Sequence, residues 1–455
     1  MKSLTEGSEG KIIFKFALPM VIGNLMQQLY ILVDSIIVGQ FIGDTALAAV
    51  GASFPVFYTL IAFFIGIGSG ATIVISHFFG AQQYKKVKEA IGTIYIFMFG
   101  AGLILTAIGI IFSREIFTLL NVGEDVMPEA ITYFTIYMTG MVGFFGFHST
   151  SSVLRGLGDS KTPLLFLAIA TVANLLLDLL FIVVLNMGIE GAAWATVISQ
   201  MGAFIVAIFH LNSKDHLIHF SVKSLIFNSD LFKKSAKIGL PTGFQQSFVA
   251  LGMMAIIRII NEFDTEVLTA YTAASKIDAL ASMPAMTLAS ALSAFVGQNM
   301  GAGLTHRVKK GLLATLKMAW TISLSVMIIV IFFGSELMAL FSSNEDVIDY
   351  GKQYLIIICS FYVVFSSMFI MHGTLRGAGD TMIPMFITLI SLWLIRIPFA
   401  WILSRHFGEA GIWWSIPAGW IVGLAGTWLY YISGKWKNKK VTDSEILPQT
   451  TNNAS

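Results

Sequence analysis

Polar and apolar positions along this chain separate into long continuous apolar runs divided by short polar segments. A spanning helix needs about 20 mostly apolar residues. Twelve runs reach that length, at about 12–38, 46–76, 91–112, 128–153, 163–186, 191–211, 237–261, 267–296, 311–333, 346–374, 383–404 and 410–433. Continuous runs predict helices, because a membrane barrel would instead show alternating segments of about 10 residues. The first run follows the polar "MKSLTEGSEGK" and, at about 25 residues, exceeds a signal-peptide core of roughly 7 to 15. It is expected to remain as the first span.

Composition agrees with that pattern. Hydrophobic residues make up 56% of the 455 and charged residues only 12%, against about 25% charged in an ordinary soluble domain. The 28 Lys and Arg and 26 Asp and Glu nearly cancel, so their placement is what informs. Twenty-one of the bases, from Lys2, Lys11 and Lys15 to Lys435, Lys437, Lys439 and Lys440, fall on one set of loops and ends, and only Arg114 and Arg405 on the other. The positive-inside bias therefore places both termini in the cytoplasm. One cysteine, Cys359, excludes an intramolecular disulfide and any cysteine-based metal site.

The chain repeats itself. "LRGLGDSKTP" at 154–163 recurs 221 residues later as "LRGAGDTMIP" at 375–384, and the same offset pairs "GAQQYKKVK" from Gly80 with "GAGLTHRVK" from Gly301. Each copy holds six spans, an even number, so both enter the membrane in the same direction. The expected fold is all-α integral membrane, with twelve transmembrane helices in two parallel six-helix repeats around a central cleft. An N-lobe would take residues 1–211, a cytoplasmic linker 212–236, a C-lobe 237–433 and a cytoplasmic tail 434–455. The Gly-rich turns lack GxxxxGK[ST] and are read as tight cytoplasmic turns, with Arg155 and Arg376 at a helix end and Asp159 and Asp380 capping the next helix.

Charges inside spans are costly and mark candidate sites. Asp34, Asp178 and Asp278 are the acids well within apolar runs, and Arg258, Lys276 and Arg396 the bases. Asn174 precedes Asp178 by four residues, and Tyr30 precedes Asp34 by four, so each pair shares a helix face. If those faces meet, two carboxylates, an amide and a phenol converge. That set suits a hard cation such as Na+ or protonation of the acids, and the structural alternative is bonding to the backbone or to a buried base, for which Arg258 and Arg396 are available but in the other lobe. Asp278, Lys276, Arg258 and Arg396 are candidates for the substrate cleft, with a structural ion pair equally open for Asp278. His148 and His372 read as packing or capping residues. At the offset of 221, Asp34 and Asp178 correspond to Ala255 and Phe399, so the polar set was not duplicated with the scaffold.

These motifs, with "ALPMVIGNLMQQLYILVDSIIVGQFIGDTALAAVG" at 17–51, "NLLLD", "GIEGAAWATVIS" at 188–199 and "FVGQNMGAG" at 295–303, resemble the multidrug and toxic compound extrusion (MATE) family, in its bacterial DinF-like and MepA-like branch. The resemblance implies a twelve-helix antiporter of the bacterial inner membrane that exports organic, cationic or amphipathic drugs in exchange for H+ or Na+. It implies a cation site in the N-lobe at Asp34, Tyr30, Asn174, Asp178 and Thr196, all present here. A C-lobe site of the type with acids on the seventh and tenth spans is not expected, because neither span carries one well inside. The expected partners are a small drug-like molecule and the lipid bilayer, with no nucleic acid and no cofactor beyond the coupling ion, and the chain is expected to act as a monomer. The competing reading is a flippase for a lipid-linked sugar precursor on the same architecture. An enzyme is not expected, since HExxH and GxSxG are absent and Cys359 has no evident base.

Overall fold

The computed structural model describes residues 3–213, 225–439 and 441–442, and every regular element among them is helical. Residues 214–224 of the expected linker, and residues 440 and 443–455 of the expected tail, lie outside the described residues. The first lobe comprises α1 (Glu9–Phe41), α2 (Asp44–Gly80), α3 (Tyr84–Ile111), a short α4 (Ser113–Leu119), α5 (Met127–Thr139), α6 (Met141–Gly156), α7 (Lys161–Asp178) and α8 (Ile189–Ser213). A π-helical stretch, Leu179–Val184, prolongs α7 beyond Asp178. The second lobe comprises α9 (Ser229–Ile260), α10 (Thr265–Gly301), α11 (Thr305–Ala339), α12 (Glu345–Ser360), α13 (Tyr362–Gly377), α14 (Met382–Leu389), α15 (Ile397–Phe407) and α16 (Glu409–Ile432), with π-helical Ile390–Arg396 joining α14 to α15. The Asn228 side chain accepts from the N–H groups of Asp230 and Leu231, so Ser229 to Ala236 of the expected linker form the first turns of α9.

Helices dominate because lipid offers no partner for backbone N–H and C=O groups. Nine helices among the described residues are long and apolar enough to cross a membrane. The pairs α5 with α6 and α12 with α13 supply two more spans, bent by 51° and 52°. The twelfth span is α16, 24 residues long and rich in tryptophan and glycine, with Pro417 inside it. The duplication extends to helix ends: α2 and α10 start and stop 221 residues apart, and so do α6 and α13. Twelve transmembrane helices thus form two six-helix repeats.

The repeats meet chiefly through α2 against α9 and α10. Contact is closest toward the Lys-rich end. A methyl added at Gly66 would stand 2.7 Å from the Gly243 nitrogen, and one at Gly70 would stand 2.2 Å from the Ser235 carbonyl oxygen. Toward the other end the lobes diverge. A methyl at Gly51 would meet nothing within 4 Å, and Phe54, Tyr58, Phe248, Leu251 and Met254 are exposed. The central cleft is therefore closed at the Lys-rich end and open at the opposite one.

The two copies of the Gly-rich turn differ in one respect. Asp159 accepts from the N–H groups of Lys161 (3.0 Å) and Thr162 (3.1 Å) and caps α7. Asp380, expected to cap α14, instead accepts from the Tyr430 hydroxyl, which reaches it from α16. His148 lies against Phe144 at 4.2 Å between ring centroids, and His372 Nε2 contacts the Thr427 hydroxyl at 2.9 Å.

Candidate ion and substrate site

Inside the first lobe α1, α7 and α8 bring five polar side chains together. Asp34 and Asp178 are 9% and 1% exposed, and Asn174 and Thr196 are buried with them. The Asp34 and Asp178 carboxyls face each other within hydrogen-bonding range. Asn174 serves both neighbours in one amide orientation: its nitrogen donates to Asp178 Oδ2 at 2.8 Å, and its oxygen accepts from the Thr196 N–H at 3.2 Å. The Thr196 hydroxyl donates to the Ala192 carbonyl at 3.1 Å, which leaves it to accept from the Tyr30 hydroxyl at 3.3 Å. Asp34 Oδ1 and Asp178 Oδ1 are buried without a protein hydrogen-bond partner.

Two carboxylates this close repel unless a proton or a cation lies between them. The donor set consists entirely of oxygens, from carboxylates, hydroxyls and an amide, and so matches a hard cation or a shared proton. Among the described residues no group of three or more His, Cys, Asp and Glu could hold a metal ion.

Further polar residues, not singled out from the sequence, complete the surroundings. Tyr133 and Tyr137, four apart on α5, lie within electrostatic reach of Asp34, and Tyr137 also reaches Gln200. Their i, i+4 spacing was a legible signal, as was that of Thr196 and Gln200. Beside this centre lies a cavity of about 150 Å³ lined by Asn24, Gln27, Tyr30, His148 and Gln200, with Met20 and Leu167 supplying apolar wall. Tyr30 belongs to both the cavity and the carboxylate centre.

The four charges considered for the cleft in the second lobe are not gathered into one site. Asp278 accepts hydrogen bonds from Tyr362 and, at 3.4 Å, from Tyr354. Arg396 lies within electrostatic reach of it, yet no ion pair joins the two among the described residues. The Tyr354 ring in turn packs against Tyr271 and Trp413, whose own rings stack at 5.8 Å between centroids. Arg258 and Lys276 are exposed.

The chain is similar over nearly its whole length to known transport proteins. The probable multidrug resistance protein YpnP of Bacillus subtilis is 34% identical over 440 residues, covering 96% of this chain and 98% of the relative. A probable multidrug resistance protein NorM of Thermotoga maritima is 28% identical and covers 96% of each. Among solved structures, the outward-facing conformation of a multidrug resistance MATE family transporter of the MOP superfamily superposes with a TM-score of 0.88 at 24% identity, over 96% of this chain and 98% of that one. The MatE family model matches twice, at residues 19–180 and 241–402, once on each repeat. The chain therefore belongs to the MatE family, whose members are membrane transporters of the multidrug and toxic compound extrusion type and not enzymes.

Proposed function

We propose that this protein is a secondary antiporter that exports organic, cationic or amphipathic drugs in exchange for H+ or Na+ by alternating access. The observation that carries this reading is the sharing of Tyr30 between the Asp34 and Asp178 carboxyl pair and the adjacent cavity. An ion that neutralises the pair and a molecule that occupies the cavity touch the same phenol, so each changes the other's binding free energy. Transport is driven only if the ion has different affinity for the two conformations of the lobes. The position of Asp34 on α1, one wall of the cavity, supplies a route for that difference.

In this reading Asp34, Asp178, Asn174, Tyr30 and Thr196 couple the ion, and the exposed Arg258 and Lys276 are the second-lobe charges available to substrate. Asp278 is held by its tyrosines, with Arg396 beside it. The N-lobe (1–211) and C-lobe (237–433) rock against each other, so that the cleft opens first at one end and then at the other. Lys and Arg bias makes the closed end cytoplasmic, so both termini are cytoplasmic and the cleft opens outward from a bacterial inner membrane. The transporter acts as a monomer. A flippase for a lipid-linked sugar precursor would need several bases for its pyrophosphate, and Arg396 is already placed inside the lobe beside Asp278.

Drug efflux from cells carrying Asp34→Asn or Asp178→Asn protein at normal levels tests the proposal. Loss of efflux in both is expected, and undiminished efflux in both removes it.

A further inference from the structure

The seam at the closed end is held by two reciprocal hydrogen bonds that the ion site does not use. His77 Nε2 contacts the Gly377 carbonyl at 2.8 Å, and Gln298 Nε2 donates to the Gly156 carbonyl at 3.0 Å. His77 and Gln298 are 221 residues apart, as are Gly156 and Gly377, so the two bonds are copies of one contact. Since a carbonyl only accepts, His77 carries its proton on Nε2. Both side chains are buried, and each acceptor is the glycine of an "LRG" turn in the other lobe.

Gln298 does a second thing that His77 does not. Its Oε1 accepts from the Leu4 N–H at 2.9 Å, and Asn299 Nδ2 donates to the Leu4 carbonyl at 3.2 Å. Arg307 completes the attachment, with Nη2 on the Gly7 carbonyl at 2.8 Å, Nε on Asn299 Oδ1 at 3.0 Å and an ion pair to Glu9 at 3.4 Å. Leu4 is 3% exposed in the apolar cluster it shares with Phe295 and Trp436. The segment before α1 is thus strapped onto the second lobe, and one amide joins strap to seam.

We infer that Gln298 is a latch and the Leu4–Glu9 segment a strap that together hold the Lys-rich end closed, so that opening of that end requires both to release. This inference rests on the alternating-access reading, because a latch matters only if the lobes part there.

Spin labels at the exposed, repeat-related positions Lys161 and Met382, in a Cys359→Ser background, report the separation of the lobes across the closed end. Gln298→Met keeps the volume and removes both hydrogen bonds. Arg307→Gln frees the strap from a position that tolerates change even if the buried variant fails to fold. Each is expected to raise the population of a longer distance, by on the order of fivefold for each buried hydrogen bond lost. An unchanged distribution in both variants, where the unsubstituted protein lengthens under an imposed pH or Na+ gradient, overturns the latch. A distance that never lengthens under either gradient overturns the alternating reading itself.

Discussion

The Tyr30 hydroxyl lies 3.3 Å from the Thr196 hydroxyl, tying the first helix of the N-lobe to its last. Since Thr196 spends its proton on the Ala192 carbonyl, the tyrosine is the donor, and the link is a single bond with a defined direction. Tyr30→Phe and Thr196→Val are each expected to lower transport about fivefold, the worth of one buried hydrogen bond. The double variant should fall no further than either single one, as a double-mutant cycle of initial efflux rates will establish.

At the seam, glycine is required by distance. A methyl on Gly80 would stand 1.9 Å from the Gln298 carbonyl oxygen, and one on Gly301 would stand 2.0 Å from that of His77, another contact made twice at the offset of 221. Both atoms are backbone, so the helices themselves must part. Gly80→Ala and Gly301→Ala are each expected to destabilise the protein by about 3 kcal/mol. Gly51→Ala, with nothing within 4 Å, should stay within about 0.5 kcal/mol in the same thermal unfolding assay.

In the second lobe, Tyr362→Phe removes the closer of the two hydroxyls that bond to the Asp278 carboxylate. The expected cost is about 2 kcal/mol of stability, as for a hydrogen bond to a charged group. Ion coupling should survive, because this carboxylate lies outside the first-lobe centre. Thermal unfolding of the purified variant, alongside its drug transport under an imposed gradient, separates the two effects.

Much of this architecture was legible in the sequence because lipid permits few alternatives. Long apolar runs had to be helices, and the offset of 221 read from "LRGLGD" and "LRGAGD" recurs in the helix ends themselves. The first-lobe centre was legible because Asp34 and Asp178 are costly where they are and their polar neighbours sit four residues away. What lay hidden depends on geometry between distant segments. The 51° and 52° bends and the π-helical stretches carry no strong local pattern, and the i, i+4 spacing of Tyr133 and Tyr137 does not say which span they approach. Asp159 and Asp380 occupy matching turns, yet Tyr430 takes the second from another span, which sequence spacing does not reveal.

We propose above that the Asp34 and Asp178 pair exchanges its ion for the drug, and ion flux tests this directly. Purified protein in liposomes, loaded at a defined pH and Na+ concentration, allows ion movement to be followed when a transported dye is added. The unsubstituted protein should move H+ or Na+ opposite to the dye, while Asp34→Asn and Asp178→Asn proteins should bind dye without any coupled ion flux. Dye-driven ion flux of undiminished size in both variants would rule out coupling at this pair.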